Sequence, residues 1–274
     1  MEFITLESPN DLKEIVQYVW SFRAPDSLGP IWTHTFVDLF GGIIFQHKNG
    51  SSAIVSNNKL LPEGMIHGLM RSPASSLCAT GFSAFGIRLQ PDAIHRLFGI
   101  NAYHLTDNIF PIDHVIQTGD LKDIVLNSSD FGQQAEAAFD FLRSFKVVKR
   151  RSSLFVQDCI EYIQAQPGTC TVQQVRAYFK VSERKLQRDF LNATGVSPRH
   201  FIQVTRFMEI VKRLRTHPDD DLLELAFDLD FTDQPHLSNA IKKFSMFPPR
   251  RLAEHLQKGV LNLVMHEASS VASD

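Results

Sequence analysis

The chain has 274 residues, of which 43% are hydrophobic and 21% are charged, and its formal net charge at pH 7 is −2. This length is enough for two domains with separate cores, and the composition is ordinary for a soluble globular protein. No apolar run approaches the ~18 residues of a membrane span, and the N-terminus lacks the pattern of a secretory signal. We therefore expect a cytoplasmic protein without a membrane partner.

The cysteines exclude two kinds of structural site. Cys78, Cys159 and Cys170 are too few and too scattered for a disulfide framework. No pair has the C-x-x-C spacing of a structural zinc site.

Charge is distributed unevenly along the chain. Residues 1–148 carry 10 Lys/Arg and 15 Asp/Glu, whereas residues 149–258 carry 18 and 13. An acidic N-terminal part followed by a basic C-terminal part is typical of a sensor domain joined to a nucleic-acid-binding domain.

The first 130 residues are predicted to form the N-terminal sensor domain, with an antiparallel sheet or small barrel. Asp11 to Phe22 has a helical apolar period, and helical turns are also predicted at Pro91–Phe98, Leu105–Phe110 and Asp113–Leu126. Short β-branched or aromatic runs predict strands at Trp32–Phe36, Leu39–Phe45, Ala53–Val55, Ile66–Met70 and Phe82–Leu89. Gly41 and Gly42, inside one such strand, indicate a bulge or a close approach.

Residues 131–151 are predicted to be a helical connector. Gln133 to Phe145 places apolar side chains near one face, which we expect to mediate a homodimer, although the same face could pack within the chain. The domain boundary is predicted near Lys149, with the second domain at residues 152–258. A tail follows at residues 259–274, and its end, Ala268–Asp274, is expected to be frayed.

The stretch from Thr171 to Arg215 contains three helix starts. Thr171 and Gln174 predict a capping box, Ser182 caps a second short helix, and Ser197 followed by Pro198 starts a long third helix. Two short helices separated by about one turn of chain are typical of a helix-turn-helix.

The second of these helices has an outward face suited to DNA. With Leu186 and Phe190 toward the core, Arg184 and Arg188 fall on the opposite side, with Gln187 on the flank. In the major groove Arg pairs with guanine and Gln with adenine. The face could also be an ordinary solvated one, but residues 176–215 carry ten Lys/Arg against three acids, which favours phosphate binding.

A second helix-turn-helix follows the long helix. Its helices are predicted at Leu222–Asp230 and Phe231–Phe244, with Asp221 and Glu224 as a capping box and Thr232 as the cap of the second helix. The class is thus α+β, a strand-rich domain with flanking helices followed by an all-α domain.

These two motifs, the linker helix between them and the pattern A-x-x-x-x-F-x-D-Q-x-H-x-S from Ala226 to Ser238 resemble the AraC family of transcription regulators over residues 155–255. The runs Gly86–Ile100 and Leu105–Asp113 are similar to the N-terminal domain of one AraC-type branch. The linker helix from Pro198 to Arg215 would be about 27 Å long, close to the ~34 Å between successive major grooves.

The resemblance implies a regulator that reads double-stranded promoter DNA with both motifs, without a cofactor. It further implies a homodimer, contact with RNA polymerase, and a small-molecule effector of unknown identity in the N-terminal domain. The DNA-binding residues implied by the matching positions are Ser182, Arg184, Lys185, Gln187, Arg188, Arg199, Thr232, Gln234, His236, Asn239, Lys242 and Lys243.

The second motif departs from the family pattern. Asp230 stands in the turn, Leu237, Asn239 and Ile241 in the recognition helix, and Met246 before the closing proline. Asp tolerates the left-handed conformation better than most residues, so the turn can survive. Because Asn reaches less far than Arg and the motif is rich in acids, we expect the first motif to supply most of the base specificity. The second would mainly position the protein through Lys242, Lys243 and Arg250.

Other functions are less well supported by the sequence. His34, His47 and His67 could bind a metal, but their spacing favours ordinary histidines. Nucleophile elbows, phosphate loops and metal–carboxylate pairs are absent, so we do not expect an enzyme. The N-terminal domain could instead bind a partner protein, or be a catalytic module tethered to DNA. Its aromatic residues could line an effector pocket or simply form the core.

Overall fold

The computed structural model describes residues 1–27, 29–147, 151–258 and 263–267. Within these ranges the strands are β1 (Glu2–Glu7), β2 (Val16–Arg23), β3 (Ile31–Thr35), β4 (Gly41–His47), β5 (Ile54–Ser56), β6 (Lys59–Leu60), β7 (Gly64–His67), β8 (Ala74–Cys78), β9 (Ser83–Leu89), β10 (Ile109–Pro111) and β11 (Leu263–Glu267). The α-helices are α1 (Ala93–Phe98), α2 (Leu121–Asn127), α3 (Phe131–Arg143), α4 (Arg151–Gln164), α5 (Val172–Phe179), α6 (Glu183–Thr194), α7 (Pro198–Thr216), α8 (Leu222–Asp228), α9 (Gln234–Ser245) and α10 (Pro249–Lys258).

Two antiparallel sheets form the N-terminal domain. The first sheet has the order β1-β2-β9-β4-β7-β10, and the second has the order β11-β3-β8-β5-β6. Side chains from both sheets line a common cavity, which therefore lies between them. The opposite face of the first sheet is covered by α1, α2 and α3 around the buried side chains of Ile43, Phe45, Phe85 and Ile87.

The helix predicted at Asp11–Phe22 is wrong. Val16–Arg23 is a strand that pairs with β1 on one side and β9 on the other. Val16, Val19 and Phe22 are buried, and strand β2 is rich in β-branched and aromatic residues, which favour a pleated surface. The apolar spacing of Leu12 and Ile15 belongs to a turn that packs into the core before the strand begins.

The strands predicted between residues 31 and 90 are confirmed, with shifts of one or two residues at most ends. Sequence patterns missed β1, β6, β8 and β10, because these strands are short or carry polar residues. The helix predicted at Pro91–Phe98 is confirmed and ends at Gly99, whose φ is 69°. The helical turns predicted at Leu105–Phe110 and Asp113–Leu126 are partly wrong. The first range begins at the end of a short 3-10 helix and ends in β10, and α2 covers only the end of the second.

The predicted connector helix is α3, and its apolar face packs within the chain. Ala135, Ala138, Phe139 and Leu142 are buried against the first sheet and α2. Ala137, Phe141 and Phe145 in the same range are only partly buried, so the dimer contact predicted for this helix stays a prediction. The predicted boundary at Lys149 lies outside the described residues.

Helices α4 to α10 form the C-terminal domain around one apolar core. That core also contains Phe36, Val37, Leu39 and Leu69 of the N-terminal domain. The two domains thus share buried surface and pack directly against each other.

The predicted tail is partly a strand. β11 pairs antiparallel with β3, with Met265 opposite Thr33, and it forms one edge of the second sheet. The C-terminal domain is thereby tied back to the N-terminal sheet. The frayed end predicted at Ala268–Asp274 lies outside the described residues.

Candidate nucleic-acid interface

The first helix-turn-helix motif, residues 171–194, has the predicted caps. Thr171 and Gln174 form a capping box at the start of α5, and the Ser182 hydroxyl accepts from the Lys185 backbone N–H. The turn between the helices passes through Lys180 in the left-handed conformation, with φ of 51°. Leu186 and Phe190 are fully buried under α6, so the predicted inward face is confirmed.

In the second motif, residues 221–245, the caps of both helices differ from the prediction. Asp233 caps α9 by accepting from the His236 N–H at 2.7 Å, whereas Thr232 precedes the cap. The cap follows the left-handed residue Lys180 by two positions in the first motif, but it follows the left-handed residue Asp230 by three in the second, which moves the cap from Thr232 to Asp233. Asp221 caps α8, but it accepts from Leu223 and not from the third helical N–H that a capping box uses.

The two motifs repeat each other at a spacing of 51 residues along their recognition helices. The caps Ser182 and Asp233 correspond, as do the left-handed residues Gly195 and Met246 that end the helices. The hydroxyls of Thr194 and Ser245 each donate to the carbonyl four residues earlier. By this correspondence Arg188 and Asn239 occupy equivalent positions on the two recognition helices.

On the first recognition helix, α6, the predicted DNA-binding side chains share one face. Arg184, Gln187 and Arg188 are exposed, and Lys185 is half-buried. Ser182 is exposed at the start of the helix, and Arg199 is exposed in the first turn of α7.

Two carboxylates hold these side chains. Asp189, nearly buried, forms ion pairs with Lys185 and with Arg188, whose Nη2 lies 2.8 Å from Oδ1. Burial raises the pKa of Asp189, but the hydrogen bonds from Lys185 and Arg188 outweigh it and lower the pKa overall. Glu183 accepts from Gln187 and Arg176. The pairing of Lys185 with Asp189 has the i,i+4 spacing of a helix ion pair and could have been found in the sequence.

The set predicted for the second motif is also exposed. It comprises Thr232 in the turn and, on the recognition helix α9, Gln234, His236, Asn239, Lys242 and Lys243. His236 packs edge-on against Phe231, and Lys243 lies 4.6 Å from the ring centroid of Phe244. Leu237 and Ile241 are fully buried, as predicted.

The linker helix α7 joins the two motifs. It has 19 residues, which gives a length of about 28 Å. Ser197 caps it through the His200 N–H, and Pro198 occupies its first turn, as predicted. Phe201, Val204, Phe207 and Ile210 are buried in the shared core, so the helix is held along its length.

The N-terminal domain contacts the ends of both recognition helices. The Thr106 hydroxyl donates to the Gly195 carbonyl at the end of α6, at 2.8 Å. The Val37 N–H donates to the Phe244 carbonyl near the end of α9, at 3.0 Å. Sequence analysis missed both contacts, because nothing in the pattern around Val37 or Thr106 separates a domain interface from an ordinary core.

The cavity between the two sheets, the lumen cavity, has a volume of about 240 Å³. Aromatic residues line it, including Tyr18, Trp20 and Phe36, together with a partly buried ion pair in which Arg88 Nη2 lies 2.8 Å from Asp38 Oδ2. Gly42 allows the His67 ring to approach, because a Cβ on Gly42 would lie 2.9 Å from its Nε2. The close approach predicted for these glycines is confirmed.

The remaining candidate chemistry is dispersed. His34 contacts the Ser75 hydroxyl, His47 accepts from the Gly50 N–H, and His67 lines the lumen cavity. Among the described residues no group of three or more His, Cys, Asp or Glu could hold a metal ion. The three cysteines are buried thiols, and burial raises the pKa of Cys78 to about 11. None of the described helices has the length and apolarity to cross a lipid bilayer.

Comparison with known proteins agrees with this geometry. Residues 176–255 match a family described as a helix-turn-helix domain. Over 82 residues the chain is 28% identical to the HTH-type transcriptional activator RhaS of Klebsiella pneumoniae strain 342. These two matches support a helix-turn-helix domain of the AraC type in the C-terminal part of the chain. The RhaS match covers 30% of this chain and 29% of RhaS, so the likeness is limited to less than a third of either protein.

The N-terminal domain of this chain matches a different family model. Residues 5–111 match a domain of unknown function, DUF6597. Among solved structures, ToxT from Vibrio cholerae O395 is 13% identical over 94% of this chain and 99% of its own, with a TM-score of 0.46. The C-terminal domain of AraT from Geobacillus stearothermophilus is 23% identical over 38% of this chain and 88% of its own, with a TM-score of 0.36.

Proposed function

We propose that this protein regulates transcription by reading promoter DNA with both helix-turn-helix motifs. One observation carries the proposal. Arg184, Gln187 and Arg188 are exposed on a short helix whose other face is buried, and the same arrangement recurs 51 residues later around Asn239. A helix presented in this way fits the major groove, where such side chains pair with base edges.

The two motifs contribute differently in this proposal. Arg188 can make a bidentate contact to guanine. Asn239, at the equivalent position, can pair with adenine, but its shorter side chain requires the helix to lie closer to the base. The first motif therefore supplies most of the base discrimination. Lys242, Lys243 and Arg250 of the second motif contact phosphates and fix the orientation of the protein.

Asp189 pre-positions the first motif for this contact. Its carboxylate is nearly buried and pairs with Arg188, which restrains the guanidinium on the exposed face before DNA arrives. A restrained side chain loses less conformational entropy on binding than a mobile one. Lys185 also forms an ion pair with Asp189. It lies at the edge of the exposed face, where it can contact a phosphate.

Salt dependence tests the DNA-binding proposal. Each Lys or Arg that neutralises a phosphate contributes roughly one unit to the slope of log affinity against log salt concentration. We expect a steep negative slope for a promoter fragment between about 50 and 200 mM salt. A slope near zero would contradict the proposal.

We further propose that a small molecule in the lumen cavity controls the protein. The cavity is apolar with one partly buried ion pair, and its volume of about 240 Å³ is slightly below the usual range for drug-sized ligands. Phe36 and Asp38 line it, and Val37 between them bonds to the end of α9. A ligand could therefore bias the position of the second motif. The alternatives are a protein partner or a catalytic function for the N-terminal domain.

A thermal-shift screen of the full chain against metabolites tests the effector proposal, because a ligand of the folded state raises the melting temperature by mass action. Ile44 lines the cavity, so Ile44→Phe should abolish the shift produced by a hit. The control is Ile4→Phe on the exposed surface of β1, which should keep the shift. A compound that still raises the melting temperature of the Ile44→Phe variant binds outside the lumen cavity.

The homodimer and the contact with RNA polymerase remain proposals that rest on the family. A dimer contact through α3 would have to use its partly buried side chains, which include Ala137 and Phe141. Sedimentation of the full chain at tens of micromolar decides the oligomeric state, and a monomer there would remove the dimer from the proposal.

A further inference from the structure

A second cavity lies on the other face of the first sheet, beneath α2 and α3. Its volume is about 320 Å³, and its walls come from β2, β9, β4 and the segment that joins α2 to α3. It is separate from the DNA-binding helices.

Three side chains on adjacent strands form the floor of this cavity. Arg23 of β2 is directly opposite Ser83 of β9, and Ser83 is in turn opposite His47 of β4. Residues paired in this way project from the same face of a sheet, with their Cβ atoms about 5 Å apart. The register therefore aligns a guanidinium, a hydroxyl and an imidazole in one row.

The opposite wall is held by Gln134 of α3, a buried residue. Its Nε2 donates to the carbonyls of Val125 and Ser128, both at 2.9 Å, which fixes the amide and the chain segment over the floor. Arg23 donates to the Ser129 carbonyl from the other side. The cavity is thus a built feature whose walls are hydrogen-bonded to each other.

The floor presents hydrogen-bond donors. Nδ1 of His47 accepts from the Gly50 N–H at 3.4 Å, so the neutral ring carries its proton on Nε2. The guanidinium of Arg23 has five N–H donors and uses one on Ser129, and Ser83 adds a hydroxyl. Among the described residues that line the cavity there is no carboxylate. The charge and the donors together suit an anion.

We propose that this cavity binds a small oxyanion, either inorganic phosphate or the phosphate or carboxylate group of a small metabolite. Arg23 would pair with it through parallel N–H bonds, as guanidinium groups do with planar or tetrahedral oxyanions. Ser83 and His47 would donate to the remaining oxygens. Binding would tie α2 and α3 to the first sheet.

Titration of the ¹⁵N-labelled full chain at constant ionic strength tests the site. The probes are inorganic phosphate, glycerol 3-phosphate and acetate, which separate a free ion, a phosphate ester and a carboxylate. We expect at least one of them to produce saturable shifts in the amide signals of residues 21–23, 47, 83 and 128–129. Arg23→Gln should weaken that association by about tenfold or more.

Arg143→Gln is the matched control. It makes the same chemical change on α3, where Arg143 is half-exposed and pairs with Asp11 and Asp140, and it should leave the association unchanged. His47→Asn serves as a second variant should Arg23→Gln fail to fold, and it should also weaken binding. The proposal is overturned by an absence of saturation with all three probes up to about 10 mM. It is equally overturned by wild-type affinity in the Arg23 or His47 variant. Either result leaves the DNA-binding proposal intact, because the two are independent.

Discussion

The hydroxyl of Thr106 donates to the backbone carbonyl of Gly195 across 2.8 Å, and this bond joins the N-terminal domain to the end of the first recognition helix. Gly195 has φ of 84°, and a Cβ there would lie 2.3 Å from Thr106 Oγ1 and 2.9 Å from the Ala102 carbonyl oxygen. The contact thus depends on a residue with no side chain. Through this bond the N-terminal domain directly contacts the helix that is proposed to lie in the major groove of DNA.

Thr106→Val should destabilise the protein by about 1–3 kcal/mol, because it removes a buried hydrogen bond and leaves the Gly195 carbonyl without that donor. Denaturant unfolding of the full chain measures the effect. Thr205→Val is the control. The Thr205 hydroxyl donates to the Phe201 carbonyl within α7, and that carbonyl also accepts a backbone hydrogen bond of the helix. A loss no greater than that of Thr205→Val would show that the interdomain bond contributes little.

Gly195 and Met246 occupy equivalent left-handed positions, and we expect opposite effects from exchanging their residue types. Gly195→Ala should destabilise by about 1–2 kcal/mol from backbone strain alone, and more from the overlap with Thr106. Met246 has φ of 71°, so Met246→Gly should relieve strain and stabilise by up to about 1 kcal/mol. Thermal or denaturant unfolding measures the sign of the change in the free energy of unfolding for each variant. Effects of the same sign would contradict the equivalence of the two helix ends.

His200 should make stability depend on pH. Burial, with Lys243 and Arg71 nearby, lowers its pKa from 6.5 to about 4 in the folded protein, and Asp107 opposes the shift only partly. Because the folded pKa lies below the unfolded one, protons favour the unfolded state, and this contribution is lost as pH falls from 6.5 to about 4. The stability of wild type should fall relative to His200→Phe across that range. A constant difference between the two unfolding curves would refute the assignment.

Helix starts in the C-terminal domain could be predicted from sequence, because capping is local. Ser182 and Ser197 each accept from an N–H three residues on, and Thr171 does so within a capping box. The inward positions of Leu186 and Phe190 followed from helical period alone. The exposed positions of Arg184, Gln187 and Arg188 followed from the same period, since these residues lie away from Leu186 and Phe190 around the helix.

The errors came from features that are not local. Residues 11–22 have a helical spacing of apolar residues, but Val16 and Val19 are buried in a core that also contains Ile43, Phe85 and Phe139 from later parts of the chain, which overrides the local pattern. Thr232 and Asp233 are both good caps, and only the length of the preceding turn selects Asp233. The contacts of Val37 and Thr106 join residues far apart in sequence, and no spacing rule could place them together.

The comparison of Arg188→Ala with Asn239→Ala tests the central claim, that the first motif supplies most of the base specificity. Both side chains are exposed at equivalent positions, so truncation should affect folding little in either case. We expect Arg188→Ala to cost about 1–3 kcal/mol at the cognate site, with a smaller loss on unrelated DNA. Asn239→Ala should cost clearly less. Equilibrium binding of both variants to cognate and unrelated duplexes at one salt concentration provides all four values. A larger loss of specificity from Asn239→Ala would contradict the account.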